Sequence, residues 1–290
     1  MGRNRIKPYL LILPSFVFLA LFTYLPVIKT LYYSFFKWNL YTPHKVFAGL
    51  GTYAEVFRNP VTWKVLANTF LLSAETIIPS IAIAMFLAIF LNRALRGISF
   101  LRLSVYYPSV LPTVALGAMW VFLFIPSYGL VPYYLSKLGI PNVRFLEDPR
   151  LALQALAFVS IWKQAGYFMI FFLAGLQNIS PEYYETALLE GANSFQKFRY
   201  ITFPLLKPIT LFVLVMSFIG SIQWVDQVFI MTQDGGPLDA TNILVFHIYQ
   251  TAFQYWDLGQ ASVLTVIQIL ILISGTFLAF RVFERGMSYD

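Results

Sequence analysis

Polar side chains recur at helical spacing inside two long apolar stretches of the sequence. They are Ser160, Gln164 and Tyr167 in the first stretch, and Ser217, Ser221 and Trp224 in the second. Each set of three stands at positions i, i+4 and i+7, so its members share one face of a helix. Hydroxyl and amide groups can bind the hydroxyl groups of a sugar, and an aromatic ring can cover the apolar face of the sugar ring. The spacing therefore predicts two facing helices that hold a sugar between them.

Two further polar residues belong to the second stretch, and we expect both to lie on the same substrate path. They are Gln223 and Asp226. Polar groups within a membrane must face protein or water, so they are candidates for function by default. The alternative is structural, because serine and glutamine side chains often hydrogen-bond one membrane helix to another.

Three charged residues stand inside apolar stretches, namely Glu75, Lys163 and Asp226. Counted inward from the outer ends of their stretches, Glu75 and Lys163 lie at similar depth. Pairing opposite charges lowers the cost of placing both in a membrane. The sequence therefore predicts a structural ion pair between Glu75 and Lys163, in preference to a proton relay. Asp226 is closer to the outer end of its stretch and could face water.

The composition of the chain indicates the elements that position these residues. Of 290 residues, 59% are hydrophobic and only 11% are charged, whereas soluble domains carry about 25% charged residues. We expect an all-α polytopic membrane protein that forms a single transmembrane domain over residues 1–290. About 20 apolar residues are needed for each membrane span. Six stretches qualify, at about residues 9–35, 66–91, 103–124, 151–176, 205–230 and 261–283.

Lysine and arginine residues predict the orientation of the spans. With the amino terminus in the cytoplasm, eleven of them fall on the inner side and seven on the outer side. The inner loops are also shorter, so the positive-inside rule favours both termini in the cytoplasm. The net charge of +7 follows this topology, and we expect no nucleic-acid partner. The chain is expected to be a multi-pass protein in contact with the lipid of a bacterial or archaeal cytoplasmic membrane.

The polar segment 180–204 carries strong helix signals between the fourth and fifth apolar stretches. Ser180 is a good N-cap residue, and Pro181 suits the first helical position. Gly191 can adopt the left-handed backbone that ends a helix. Asn193 or Ser194 can cap a second short helix that runs until Pro204. The topology places this segment in the cytoplasm, where two short helices could contact another protein.

The spacing within the 180–204 segment resembles the EAA motif of ABC-importer permeases. Glu185-Thr186-Ala187 is followed after three residues by Gly191, after nine more by Ile201, and then by Phe203-Pro204. The family pattern has alanine and leucine where this chain has Thr186 and Phe203. The resemblance implies a coupling helix that contacts a cytoplasmic ATPase. The residues that it implies for this contact are Glu182, Glu185, Ala187, Gly191, Ala192, Ile201 and Pro204.

Other stretches resemble the maltose-type and glycerol-phosphate-type branch of these permeases (MalF/UgpA-like). They run from Trp120 to Leu130, from Trp162 to Gln177 and from Gly235 to Gly259, within about half of the chain. The resemblance implies a six-span type I importer permease for a sugar, polyol or glycerol-phosphate-type solute. It also implies a heterodimer with a second, related permease, two ATPase subunits, and an extracytoplasmic solute-binding protein.

Several functional classes lack support in the sequence. There is no G-x-x-x-x-G-K-[ST] motif to bind ATP phosphates. Cysteine is absent, and neither His44 nor His247 has metal-ligand spacing, so we expect no metal and no cofactor in this chain. ATP and magnesium would be bound by the partner ATPase. An intramembrane enzyme would need a nucleophile or metal cluster. An ion-gradient-driven secondary transporter, using Glu75, Lys163 and Asp226, remains the alternative function, although it does not explain the EAA-like spacing.

Overall fold

The computed structural model describes residues 7–41, 44–93, 96–140 and 143–284, and these are mostly helical. In the first half of the chain the elements are α1 (Lys7–Leu19), a π-helical turn (Ala20–Tyr24), α2 (Leu25–Tyr33), β1 (Phe36–Lys37), β2 (Val46–Phe47), α3 (Gly51–Arg58), α4 (Pro60–Leu91), α5 (Ile98–Val110), α6 (Thr113–Phe124) and α7 (Leu130–Lys137).

In the second half they are α8 (Ala152–Gln177), α9 (Pro181–Leu189), α10 (Ser194–Lys197), a π-helical turn (Phe198–Thr202), α11 (Phe203–Leu205), α12 (Lys207–Ile222), α13 (Val225–Met231), a 3-10 turn (Pro237–Asp239), α14 (Leu244–Tyr249), a π-helical turn (Gln250–Gln254) and α15 (Leu258–Glu284). The strands β1 and β2 form a short antiparallel pair.

The chain divides into two compact units. The first contains the residues up to Trp63 together with His247–Leu270, and the second contains Lys64–Phe246 together with the residues from Ile271 onward. The first unit holds the β1–β2 pair and α3. The second unit holds most of the helices that carry the polar residues singled out above.

Four helices of the described residues are long and apolar enough to cross a membrane. They are Tyr9–Tyr33, Pro60–Leu91, Ala152–Gln177 and Leu258–Phe283. Two bent helix pairs have the same apolar character, and they bring the total to six if each pair is one span. Each of these six regions overlaps one of the six apolar stretches of the sequence, although the fifth runs from Ser194 to Ile222 and not over 205–230.

The third and fifth apolar stretches are each broken by a sharp bend, of which only the third was indicated in the sequence, by its prolines. α5 and α6 meet at an angle of 97° at Leu111 and Pro112. Proline lacks the N–H group that would continue the helical hydrogen bonds, and it pushes the preceding residue toward extended backbone. The fifth stretch bends by 65° where α12 begins, and α12 stops at Ile222.

The core of the second unit lies between α4, α8 and the start of α12. Its fully buried side chains include Phe172 and Met169 of α8, Ala84 and Ala88 of α4, and Leu206. Gly166 lets α5 approach α8 closely, because a methyl group at this position would overlap the backbone carbonyl oxygen of Val105. This packing fixes α8, which carries most of the candidate site.

Candidate functional site

A small polar cavity of about 150 Å³ lies beside α8 in the second unit. Its wall comes from α5, α6, α8 and the start of α13. The lining residues are Ser109, Thr113, Ser160, Lys163, Gln164, Tyr167, Trp224 and Gln227. Four of the residues predicted from helical spacing therefore line one cavity, namely Ser160, Gln164, Tyr167 and Trp224. The cavity offers hydroxyl groups, two amides, an indole and a phenol to a solute.

The interruption after α12 positions two of these side chains. α12 ends at Ile222, and Trp224 has a ψ of 62°, outside the helical region, before α13 begins. From α13, Gln227 reaches Ser160, whose Oγ lies 2.7 Å from Oε1 of the buried glutamine amide. The interruption thus lets α13 supply an amide that is held in place by α8.

Two predicted serines lie beside the cavity wall and not on it. Ser217 and Ser221 are both 1% exposed. Ser217 Oγ donates to Gln164 Oε1 at 3.3 Å, and Ser221 Oγ donates to Ser73 Oγ at 2.9 Å. Their hydroxyl groups therefore join α12 to α8 and α4. This is the helix-to-helix bonding stated above as the alternative to substrate contact. The two predicted faces do meet, because Ser217 contacts Gln164.

Two other predicted residues point away from the cavity. Gln223 and Asp226 are exposed, and neither side chain lines the cavity. At 100° per residue, both would lie about 100° or more from Ser217, Ser221 and Trp224 even on a continuous helix, so helical spacing already places them off that face.

The predicted ion pair between Glu75 and Lys163 is wrong. The ammonium of Lys163 donates to the backbone oxygen of Leu111 at 3.2 Å and to Thr113 Oγ1 at 2.8 Å. Leu111 ends α5, so its carbonyl group lacks the helical partner that a continuous helix would supply. The break in the third stretch therefore lets the Leu111 carbonyl oxygen accept from Lys163. In a straight helix this oxygen would accept from a backbone N–H group instead. Asp226 attracts this ammonium electrostatically without forming a direct ion pair.

Glu75 has an amide as its neighbour in place of a cation. Its Oε1 accepts a long hydrogen bond of 3.5 Å from Nε2 of Gln154. Its Oε2 is buried and has no hydrogen-bond partner among the described residues. The carboxyl group thus lies in a polar contact between α4 and the first turn of α8.

The first helix of the 180–204 segment begins and ends as the sequence predicts. Ser180 occupies the N-cap position, although its side chain makes no capping hydrogen bond, and Pro181 is the first helical residue. Gly191 has a φ of 79°, in the left-handed region. The N–H groups of Gly191 and Ala192 donate to the carbonyl oxygens of Leu188 and Ala187 at 3.1 and 2.8 Å. This pair of bonds is the Schellman arrangement that ends a helix at glycine.

The second helix of the segment has a capping box. Asn193 Oδ1 accepts from the backbone N–H of Gln196 at 2.9 Å, and Gln196 Oε1 accepts from the N–H of Asn193 at 2.8 Å. Asn193 is therefore the cap, as one of the two predicted choices. The helix runs through Pro204 to Leu205 by way of the π-helical turn, one residue beyond its predicted end. The bend falls at Leu206.

The 180–204 segment combines an anchored side with an exposed apolar side. Tyr184 Oη lies 3.0 Å from Thr202 Oγ1 and joins the two helices. Phe198 packs against the core between α4 and α8. On the other side Leu189 is 91% exposed, and Phe195 and Tyr200 are also exposed. A polar segment that exposes large apolar side chains has the character of a protein-docking surface.

The residues implied for the ATPase contact differ in accessibility. Glu182, Glu185 and Gly191 are exposed, Ala192, Ile201 and Pro204 are half-buried, and Ala187 is buried. The motif residues thus divide between the outer surface of the segment and its packing against the rest of the unit. The exposed Leu189, Phe195 and Tyr200 were missed, because the sequence argument followed the motif and not the apolar residues between its positions.

Gln227, Ser109 and Thr113 were missed as cavity residues. On a continuous helix Gln227 would lie about 80° from the face of Ser217, Ser221 and Trp224, at 100° per residue. The sequence signal for Gln227 was its spacing of three residues from Trp224, which places the two side chains on neighbouring positions of a helix surface. Ser109 and Thr113 flank the broken site at Leu111 and Pro112, where two prolines within five residues indicated an irregular backbone.

The described residues provide no candidate site for a metal ion. Over residues 7–41, 44–93, 96–140 and 143–284, the structure contains no group of three or more His, Asp or Glu side chains able to hold a metal ion.

Two solved structures have the same fold as this chain. One is a chain of a bacterial ABC transporter involved in the import of the acidic polysaccharide alginate, with a TM-score of 0.86, 22% identity and 98% of both chains covered. The other is a chain of the alginate transporter in complex with an alginate pentasaccharide-bound periplasmic protein, with a TM-score of 0.85, 22% identity, and 97% and 96% covered.

Curated relatives match over nearly their whole length. The probable ABC transporter permease protein YurN of Bacillus subtilis is 30% identical over 289 residues, covering 98% of both chains. The sn-glycerol-3-phosphate transport system permease protein UgpA of Agrobacterium fabrum is 32% identical over 287 residues, covering 99% of this chain and 97% of its own.

The family model for the inner membrane component of binding-protein-dependent transport systems matches residues 80–289. This range includes the polar cavity and the whole 180–204 segment, and it confirms the resemblance drawn from the EAA-like spacing. The chain belongs to the family of inner membrane components of binding-protein-dependent transport systems.

Proposed function

We propose that this chain is the permease subunit of an ABC importer that carries a sugar or a related polyol across the cytoplasmic membrane. The polar cavity is the observation that carries the proposal. Its hydroxyl, amide and aromatic groups match the chemistry of a polyhydroxylated ring, and Ser160, Gln164 and Tyr167 lie on α8, a helix of membrane-spanning length. The relatives named for glycerol-3-phosphate transport and alginate import support a solute of this general kind.

The electrostatics of the cavity favour an uncharged solute. Lys163 is the one cation among the lining residues of the described structure. Its ammonium is hydrogen-bonded to Leu111 and Thr113 and is attracted by Asp226. Much of its capacity to bind an anion is therefore already used, and hydroxyl groups suit the remaining wall better than a phosphate or carboxylate does.

The partners follow from family membership and from the exposed side of the 180–204 segment. We infer two cytoplasmic ATPase subunits that bind ATP and magnesium, a second related permease, and an extracytoplasmic solute-binding protein. One structural relative is in complex with a periplasmic protein, which supports the last partner. Both termini and the 180–204 segment would face the cytoplasm, as the distribution of lysine and arginine favours.

The proposed mechanism links ATPase movement to the membrane helices. The ATPase would contact Leu189, Phe195 and the exposed acidic residues of the 180–204 segment. Because Phe198 packs against the core of α4 and α8, a displacement of the segment would be passed to the helix that carries the cavity. No observation favours the ion-gradient alternative, since Glu75 and Lys163 do not interact and the family depends on a binding protein.

Removing one cavity amide tests the solute site. In proteoliposomes containing the purified complex and its binding protein, ATP-driven uptake of radiolabelled sugars would be measured for wild type and for Gln164→Leu. We expect uptake to fall about tenfold, since the variant lacks one hydrogen-bonding group for the solute on the cavity wall.

Two controls separate solute contact from packing. Gln223→Leu makes the same chemical change at an exposed residue, and Ser217→Ala removes the helix contact to Gln164 while leaving the amide on the cavity wall. Both should retain uptake within about twofold. Equal losses for Gln164→Leu and Ser217→Ala would contradict a solute-binding role and support a packing role for Gln164.

A backbone change tests the coupling role of the 180–204 segment. Gly191→Ala places a methyl group on a left-handed residue, at a cost of about 1–2 kcal/mol, whereas Gly191→Asn tolerates this conformation better. We expect binding-protein-stimulated ATP hydrolysis to fall several-fold for Gly191→Ala and to be largely kept for Gly191→Asn. If stimulation is unchanged in both variants, in complexes of equal yield, the helix end at Gly191 plays no part in coupling.

A further inference from the structure

The first unit contains a cavity that the transport mechanism does not use. We call it the loop cavity, and its volume is about 520 Å³, more than three times that of the polar cavity. This volume falls within the usual range of ligand pockets, about 300–1,000 Å³. The lining residues are Lys37, Trp38, Asn39, His44, Val46, Thr52, Glu55, Asp257 and Gln260.

Backbone hydrogen bonds between distant segments build the wall of the loop cavity. The N–H of Leu40 donates to the carbonyl oxygen of Trp256 at 2.9 Å, and the N–H of Gly259 donates to that of Trp38 at 3.1 Å. Asn39 and Asp257 form a bridge between the same segments. Trp256 adopts a φ of 57°, which is costly for a bulky side chain. The wall is therefore held by specific contacts and is not a gap between unrelated loops.

One polar atom in the loop cavity lacks a partner. Thr52 lines the cavity, is 1% exposed, and its Oγ1 has no hydrogen bond in the described part of the chain. A buried hydroxyl group without a partner costs about 1–3 kcal/mol. A ligand hydroxyl group could either donate to this oxygen or accept from its hydrogen.

The charged groups of the wall are only partly available to a ligand. Lys37 and Glu55 neutralise each other in an ion pair. Asp257 keeps its charge, and its Oδ1 accepts from the backbone N–H of Gln260 at 2.9 Å. Lys45 lies over one face of the Trp38 ring, 3.9 Å from its centroid. What remains for a ligand is the Thr52 hydroxyl, the amide of Gln260, the imidazole of His44 and the part of the Trp38 indole that Lys45 leaves open. This set of groups suits a neutral molecule with several hydroxyl groups and an apolar face.

We propose that the loop cavity is a second sugar site, for a neutral oligosaccharide, separate from the polar cavity among the membrane helices. The unsatisfied Thr52 hydroxyl, the neutral hydrogen-bonding groups of Gln260 and His44, and the volume all point to this class of ligand. The site goes beyond the proposed transport function, because sugar binding here requires neither ATP nor movement of the membrane helices.

The absence of cysteine from the sequence allows a direct test. Val46 lines the loop cavity and is itself exposed, so Val46→Cys introduces the single thiol of this chain at the cavity, and its modification in the purified complex is followed on the separated subunit. The rate of its modification by a small maleimide would be measured with and without maltotriose, cellotriose or raffinose. We expect at least one of them, at high millimolar concentration, to slow the reaction about fivefold by occupying the cavity.

Matched variants make the result specific. Thr52→Val in the Val46→Cys chain should abolish the protection, and Tyr41→Cys, exposed but outside the cavity, should show none. Protection should persist when Gln164→Leu is added, which separates this site from the proposed transport site. Protection by none of the three sugars, equal protection by glycerol 3-phosphate, or protection unaffected by Thr52→Val would each overturn the proposal.

Discussion

At the scale of single residues, Lys163 joins three helices through a contact made with the backbone. Its ammonium donates to the backbone carbonyl oxygen of Leu111, at the end of α5, and to the hydroxyl group of Thr113, the first residue of α6. Positive charge is favoured at the carboxyl end of a helix, where carbonyl groups lack partners. Lys163 therefore stabilises the break as well as lining the polar cavity.

A double-mutant cycle tests this assignment. Lys163→Met should lower the free energy of unfolding of the subunit by about 1–3 kcal/mol, because it leaves a backbone carbonyl without its charged partner. Combined with Thr113→Val it should show a coupling of about 1 kcal/mol, since the second residue shares the contact. The measurement is unfolding by SDS in mixed micelles.

The comparison for this cycle is Glu75→Gln, which removes the other predicted member of the ion pair. With Lys163→Met its effect should be additive within about 0.5 kcal/mol, because the two side chains do not touch. A coupling larger than that of Thr113 would restore the ion pair and refute the contact with the break.

Some residue roles could be predicted from the sequence, and others could not. Ser160, Gln164, Tyr167 and Trp224 were found because helical spacing alone predicts a shared face. The partner of Lys163 could not be found, because it is a backbone oxygen whose availability depends on a break in a distant helix. Ser217 and Ser221 share the predicted face, but the neighbouring helix covers them, and periodicity does not reveal which side chains a neighbour covers.

At the scale of elements, the close approach of α5 to α8 depends on Gly166. Its hypothetical Cβ would overlap the backbone oxygen of Val105, and a backbone atom cannot turn aside as a flexible side chain can. α5 carries the break at Leu111, so the separation of these two helices also sets the position of one wall of the polar cavity.

Two glycine-to-alanine changes in spanning helices should therefore have opposite effects. Gly166→Ala should push α5 away from α8 and lower the thermal unfolding temperature and the yield of folded complex. Gly220→Ala should be neutral or stabilise by about 0.4–1 kcal/mol, because no atom lies within 4 Å of the added methyl group. Size-exclusion yield and thermal unfolding of the two variants, purified in parallel, provide the measurement. Equal yields and equal unfolding temperatures for the two variants would mean that α5 and α8 are not in tight contact at Gly166.

Apolar composition predicted where the helices are, and it did not predict where they break. The breaks follow local chemistry that the hydropathy of a long stretch averages out, such as Pro112 between α5 and α6 and the non-helical backbone of Trp224. The caps of the 180–204 segment were predictable, because Gly191 and Asn193 act through their own backbone and side chains within a few residues.

At the scale of the whole molecule, the orientation of the chain in the membrane can be tested with single introduced cysteines, because the sequence contains none. Phe195→Cys in the 180–204 segment and Leu138→Cys after α7 are both at exposed positions. In intact cells a membrane-impermeant maleimide should label Leu138→Cys and spare Phe195→Cys, because we propose that the first lies outside and the second inside. In inverted vesicles stripped of the ATPase subunits, which would otherwise cover Phe195, the pattern should reverse. Labelling of Phe195→Cys from outside would refute the proposed topology and the ATPase contact together.

The bond between Lys163 and a main-chain oxygen also affects how this structure can be recognised in divergent relatives. Every amino acid at position 111 presents the same carbonyl group, so substitutions there impose no compensating change at position 163. Contacts between two side chains leave paired substitutions in an alignment, but this contact leaves none. Methods that infer proximity from correlated evolution would therefore not detect the contact between Lys163 and position 111, and would depend on the side-chain contact between Lys163 and Thr113 instead.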